Sequence, residues 1–572
     1  MLPAAGAGAG PVTGVRLTES THTFLAPAAP SAAKLRGGYY TPRPVARFVA
    51  AWASAAGPRI LEPSCGDGAI LAALVDHART AGRLDGDGIL GVELDQAEAA
   101  KARRYGARVI ADDFFAWFTE DRRGTFDAVA GNPPYIRFGN WTEQSRARAF
   151  ALMRDAGLRP TRLTNAWVPF TVAAVEALRP GGRVALVLPA ELLQVGYAAQ
   201  LREHLVDRLV QLTIVSFRHL VFDGVLQEVV VLLGERGQGS ARVRTVEYGD
   251  AAELPPSGDV VRDSAFAPAL RHDREKWTKY YLHAPQIEVL RRARAEGRLG
   301  TFADVALVDV GVVSGRNSFF CLTPSQVRER GLGRLCVPVV GRSAQLKGTL
   351  FEPEDLGGQV AEDARCQLLA VPEGHPLASD PALRRYVAEG EAAGVHLGYK
   401  CSIRRSWWSV PSVWTPDAFM LRQIHAGPRV IANLTDATST DTVHRVRLVA
   451  DGPSPSQLAT ALANSATFAF SEVMGRSYGG GILELEPREA DALPLPDPRE
   501  VPPGLVRAVD RLVRAGDLDG ALDLVDGELL VRRLGMPAEE VALLRSVWRD
   551  LRSRRARRAR TPRRNGTGPP AG

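Results

Sequence analysis

Cysteine is scarce. Five residues, Cys65, Cys321, Cys336, Cys366 and Cys401, are scattered over 572 positions with no Cys-x-x-Cys pair. That spacing argues against a disulfide frame and a zinc site, and predicts reduced thiols, a cytoplasmic setting and no bound metal. Long apolar runs are also missing: no stretch of about 18 apolar residues occurs, so nothing is expected to span a membrane. Residues 1–35 are rich in Ala, Gly and Pro but lack the basic-then-apolar order of an export signal, and read as a disordered lead. Bulk basicity is missing from the body of the chain. The net charge is +7, but eight arginines between Arg552 and Arg564 stand in an acid-free tail, and residues 1–551 carry a net charge of −1. Any polyanion must therefore be met by a local patch, while the tail, residues 552–572, is expected to be disordered and to add salt-sensitive affinity.

What is present is an ordinary globular composition, 45% apolar and 24% charged, with enough length for two or more domains. The chain is organised around Phe126 to Tyr135, an apolar strand stopped by Pro133 and Pro134, which can neither donate ladder hydrogen bonds nor continue a helix. Asn132 and Tyr135 are thereby presented at the carboxyl end of a strand, where open α/β sheets bind ligands. The Asn132 side-chain oxygen and the Pro133 carbonyl can each accept an N–H, and Tyr135 offers a face for stacking, a set suited to a planar ring with an exocyclic amine.

Upstream, Tyr40, Thr41 and Pro42 precede an amphipathic run, residues 44–55, with Thr41 placed to cap the helix. A strand, the turn Glu62-Pro63-Ser64-Cys65-Gly66-Asp67-Gly68 and an apolar helix then form a βα unit. The turn is neither the dinucleotide fingerprint nor a Walker loop with lysine, so a nucleoside-like cofactor without pyrophosphate is expected. A second strand ends in Glu93, placed for ribose hydroxyls, and a third ends in Asp112, Asp113 and Phe114, an acid for an adenine amine beside a ring to cover it. A helix over residues 165–178, a buried strand over 183–189 and a closing pair, 211–217 and 228–233, complete a doubly wound sheet with an antiparallel end, an α/β fold.

On these residues the chain resembles the gamma-class (Taq-type) adenine-specific DNA methyltransferases of restriction-modification systems, members of the class I S-adenosylmethionine-dependent superfamily. The resemblance covers residues 36–235. It implies a Rossmann-like catalytic domain in which Tyr40, Thr41, Pro42 and the turn Glu62, Pro63, Ser64, Cys65, Gly66 and Gly68 hold the methionine part of S-adenosylmethionine. Glu93, Asp113 and Phe114 would hold its adenosine, and Phe170 would line the same pocket. Asp113 is preferred to Asp112 because Phe114 follows it; Glu62 stands where the family more often has Asp. Asn132, Pro133, Pro134 and Tyr135 match the family's catalytic loop without change. The implied chemistry is direct transfer to the amine of an adenine flipped from double-stranded DNA and stacked by Tyr135 and Phe222, with no covalent intermediate, so that Cys65 only packs. Methylation of the cytosine amine, of RNA or of a protein glutamine would fit the same grip. A monomer is expected, with a separate endonuclease as a possible partner, because roughly 35 residues before the sheet are too few for a nuclease domain.

Beyond residue 238 the βα rhythm stops. Residues 239–500 are expected to form a mixed α+β target-recognition domain, followed by packed helices over 501–551. Three segments combine arginine, amide, aromatic and glycine residues suited to phosphate and base-edge contacts, and supply the candidate DNA-binding residues Arg316, Asn317, Arg404, Arg405, Trp407, Arg476, Tyr478, Gly479 and Gly480.

Overall fold

The computed structural model describes residues 41–82, 88–136, 138–219, 221–222, 228–239, 241–260, 267–268, 276–478 and 481–558. Its largest element is a nine-stranded sheet: β1 (Ile60–Glu62), β2 (Ile89–Glu93), β3 (Arg108–Ala111), β4 (Phe126–Gly131), β5 (Leu178–Pro189), β6 (Leu209–Phe217), β7 (Val229–Arg236), β8 (Arg242–Tyr248) and β9 (Ala267–Pro268). The strand order is β3-β2-β1-β4-β5-β7-β6-β8-β9. The pairings from β3 through to β5 are parallel, and β7 runs antiparallel between β5 and β6.

The central strands are apolar on both faces, as a sheet covered on two sides requires. Leu61, Val129 and Leu186 enter one core with the helices Trp167–Ala177 and Ala199–Arg208. Their neighbours Ile60, Ala128, Ala130 and Val187 enter another, with Phe48 and Val49 of Arg43–Ser54 and Leu71, Leu74 and Val75 of Ala69–Thr80. The order reverses between β1 and β4. At such a switch point neighbouring connections leave toward opposite faces and open a crevice at the carboxyl edge.

Two expectations need correction. The sheet does not end near residue 238, because β8 pairs in parallel with β6 over seven positions, from Gln211↔Arg242 to Phe217↔Tyr248, and β9 follows on its outer side. Its alternation of charged and apolar residues suits a strand near a sheet margin, with only Val243 and Tyr248 buried. Nor are residues 552–558 part of a disordered tail. They continue the helix Ala538–Arg558, the last of a set that includes Pro503–Arg514, Leu518–Val525 and the π-helical run Asp526–Arg533. Charge pairing is the reason. Arg555, 3% exposed, holds Glu472 with two nitrogens (Nε to Oε2 2.9 Å, Nη2 to Oε1 2.7 Å) and donates to the carbonyls of Ile424, His425 and Gly481. Residues 559–572 lie outside the described residues, as does the lead, 1–35.

After β9 the described residues form four smaller sheets of two to five strands, packed with short helices. Among the described residues, no helix is long and apolar enough to cross a membrane.

Candidate active site

The crevice at the switch point is a cavity of about 480 Å³ whose walls come from consecutive strand ends. After β1, the Cys65 N–H donates to the Val92 carbonyl (3.0 Å) and Gly68 N–H to the Cys65 carbonyl (2.8 Å), closing a tight turn. Gly66 (φ +53°) and Gly68 (φ +90°) adopt left-handed conformations, and a Cβ on Gly68 would stand 2.8 Å from Ala102 Cα. The backbone can therefore approach a ligand closely there.

Glu93, at the end of β2, is fixed by two backbone donors: Gly66 N–H to Oε2 and Asp95 N–H to Oε1, both 2.8 Å. Each oxygen keeps a further lone pair for a diol. Glu62, at the end of β1, is buried, and its Oε2 has no hydrogen-bond partner among the described residues. Burial, with smaller contributions from Asp67 and Glu93, raises its carboxyl well above the ordinary carboxylate range. After β3, Phe114 stacks on Phe170 (5.2 Å between centroids, 21° between planes), and Phe115 meets Phe170 edge-on at 4.7 Å. Asp113 caps the short helix Phe114–Trp117 through the Phe115 N–H (2.8 Å) and lies 3.5 Å from Arg148, while Asp112 accepts from the Asp113 N–H (2.7 Å). Both acids line the cavity.

Asn132 and Pro134 line this same cavity, with Gly66 and Glu93, and Pro133 is buried. The Asn132 amide donates through Nδ2 to Thr41 Oγ1 at 3.2 Å, which turns Oδ1 the other way; the Tyr135 hydroxyl stands 3.1 Å from that oxygen and 3.2 Å from the Val187 carbonyl. Thr41 is thus not the helix cap expected of it. The cap position of Arg43–Ser54 is Pro42, with no side-chain cap bond, and the Thr41 hydroxyl faces the catalytic loop instead. Ser64 reaches the Asn132 carbonyl at 3.5 Å. Tyr40 lies outside the described residues.

With this geometry in hand, two family matches account for most of the chain. Residues 19–259 match N-6 DNA Methylase, and residues 274–530 match the Type II methyltransferase M.Eco57I, C-terminal domain. The chain is an N-6 DNA methylase followed by a domain of the M.Eco57I C-terminal kind. It is similar to Type II methyltransferase M.AccI of Acinetobacter calcoaceticus (20% identical, covering 79% of this chain and 83% of that one). It is also similar to Type II methyltransferase M.XamI of Xanthomonas campestris pv. amaranthicola (22% identical, covering 84% of this chain and 88% of that one). In fold it is similar to the Type IIL restriction-modification enzyme MmeI, solved in complex with DNA (TM-score 0.53, 10% identical, covering 91% of this chain and 73% of that one). The methylase match runs through β8, in keeping with the sheet.

Several residues of the methylase site were not singled out from sequence: Leu94 and Asp95 beyond Glu93, and Asn140, Trp141 and Ser145 beyond the catalytic loop, all lining the cavity. Adjacency to Glu93 would have found the first two. The others follow a loop without periodicity, and only folding brings Trp141 to 5.8 Å from Phe115. Phe222 is buried with Phe217 and Val229 in the cluster against which Tyr135 also packs. Cys65 is buried, and desolvation pushes its thiol far up, away from the nucleophilic thiolate.

The M.Eco57I-type part corrects four candidate DNA contacts. Trp407 is a core residue, 8% exposed, packed with Phe319 and Phe320 and donating from Nε1 to Glu391 (3.3 Å). Arg404 donates to the carbonyls of Val313 (2.7 Å) and Trp407 (3.5 Å), Asn317 to Asp441 (3.3 Å), and Arg476 to Glu489 (3.0 Å). Composition alone does not distinguish a polar group turned inward from one turned outward. Arg316 and Arg405 are exposed. Tyr478 ends the strand Arg476–Tyr478, which pairs with Ile482–Glu484; Gly479 and Gly480 lie outside the described residues.

Proposed function

We propose that the chain transfers a methyl group from S-adenosylmethionine to the N6 amine of an adenine extruded from double-stranded DNA, as the modification enzyme of a restriction-modification system. The observation that carries the reading is that Asn132 lines the same cavity as Gly66, Glu93 and the Phe114–Phe170 stack. The M.Eco57I-type part is proposed to hold the DNA against the methylase sheet.

The residues present fit the cofactor. Gly66 and Glu93 offer a close backbone and an anchored carboxylate for a ribose, Phe114 and Phe170 a wall for a purine, and the unpartnered Glu62 oxygen a counter-charge for a cationic amino acid end. Bound there, S-adenosylmethionine supplies an activated methyl group. The chain's part is to hold the acceptor. Thr41 fixes the Asn132 amide so that Oδ1 can accept one N–H of the target amine, and the Pro133 carbonyl accepts the other. Two such bonds draw the amine's lone pair out of conjugation with the ring and aim it, which is catalysis by orientation and preorganised dipoles. Tyr135 and Phe222 cover the ring faces.

Asn132→Ala tests the reading: methyl incorporation into DNA should fall by at least about 100-fold, while calorimetry shows S-adenosylmethionine binding within a few-fold of the parent. Retained transfer would refute the role of Asn132. Single-molecule sequencing of DNA from cells expressing the chain should show N6-methyladenine at one fixed site, and methylated cytosine amines in its place would overturn the choice of base.

A further inference from the structure

Three large apolar side chains stand in solvent within seven positions: Leu397 is 73% exposed, Tyr399 72% and Ile403 62%. Their backbone is fixed. They lie on the short helical turns Val395–Leu397 and Tyr399–Ser402, where Cys401 N–H (2.8 Å) and Ser402 N–H (2.9 Å) both donate to the Gly398 carbonyl. Val395 and Cys401 anchor the turns in a core with Phe319, Tyr386 and Trp407. Clustered apolar groups held outward on a rigid support mark an interaction surface.

The charge around them narrows the partner. Residues 392–416 contain no Asp or Glu, and Lys400 and Arg405 are exposed among them. The nearest acids before them are engaged locally, Glu391 with Trp407 and Glu389 with Arg330. A second segment joins the surface: Gly315 (φ +86°) packs so closely that a Cβ there would lie 3.0 Å from Lys400 Cβ, which brings exposed Arg316 to the border. Beside it, Arg316, Phe319, Tyr386 and Val395 line a shallow cavity of about 340 Å³.

We propose that this surface, an apolar crest of Leu397, Tyr399 and Ile403 rimmed by Arg316, Lys400 and Arg405, is where the M.Eco57I-type part grips double-stranded DNA. The cations meet phosphates and fix register, and Leu397 and Tyr399 enter a groove against base edges, where apolar side chains read thymine methyl groups. The inference rests on the reading of the chain as a DNA methyltransferase.

The test uses the full chain and duplex DNA carrying its methylated site. Lys400→Gln with Arg405→Gln should weaken binding about tenfold near 0.1 M salt and lower the slope of log affinity against log salt by about 2. Leu397→Ala with Tyr399→Ala should weaken binding about tenfold with little change of slope, because no phosphate contact is lost. Melting temperature and S-adenosylmethionine affinity should match the parent in both. A parent that methylates DNA while both double variants bind it normally would overturn the surface and leave the activity standing; a parent that methylates no DNA would overturn the activity itself. Loss of self-association by sedimentation, with DNA affinity intact, would assign the crest to a protein partner and also overturn the proposal.

Discussion

Asn132 is held at both ends of its amide, by Thr41 on the nitrogen and Tyr135 on the oxygen. Thr41→Val removes the hydroxyl that fixes the amide's orientation. One neutral hydrogen bond is worth about 1 kcal/mol, so turnover should fall roughly five- to tenfold with S-adenosylmethionine affinity unchanged in calorimetry. Equal turnover would deny Thr41 a positioning role. Glu62 gives a pH signature. Burial raises its carboxyl above the ordinary 4.5, so the folded chain keeps a proton that the unfolded chain has released. Its contribution to stability is complete below pH 4.5 and is lost as pH rises through the folded value. Glu62→Gln removes that loss: without cofactor it should melt higher than the parent at pH 8 and converge with it near pH 4.5, and a lower melting point at pH 8 would contradict the assignment. At this scale the sequence was informative where chemistry falls at consecutive strand ends, as at Glu62, Glu93, Phe114 and Asn132. The Thr41–Asn132 contact was hidden because the partners are 91 positions apart and hydroxyls before helices usually act as caps.

Among the elements, β1 to β7 followed from apolar runs and glycine turns, since strands buried on both faces read as continuous hydrophobic segments. β8 did not, because its burial is partial. The helix Ala538–Arg558 was misread for a related reason: an arginine run without local acids looks like a solvated tail, yet its counter-charge comes from Glu472, 83 positions earlier. Removing one partner of a buried ion pair leaves an uncompensated charge, so Arg555→Ala should lower unfolding free energy by about 3–5 kcal/mol in urea titration. An unchanged midpoint would place Arg555 in solvent. Truncation after residue 551 should destabilise the chain as well as weaken its DNA binding.

In the whole molecule, the end of that helix ties the M.Eco57I-type part to the methylase sheet. Arg554 pairs with Glu247 of β8 (2.9 Å), donates to Ser216 Oγ of β6 (3.0 Å) and lies over the Tyr281 ring. Arg554→Gln should loosen this tie, raising KM for DNA several-fold while leaving S-adenosylmethionine affinity as it was; parallel losses of both would point to general unfolding instead. A second tie lies nearer the chemistry. The Ser477 N–H donates to Gln194 Oε1 (2.6 Å), and Gln194 lies on the short helix after β5, the strand whose Val187 carbonyl receives the Tyr135 hydroxyl. The seam between the two parts is consequently woven from both ends of the polypeptide. Grafting another enzyme's reading head onto this sheet at a single junction near residue 270 would sever Gln194 from Ser477 and Glu247 from Arg554 together. A working chimera must bring matched residues at all four positions.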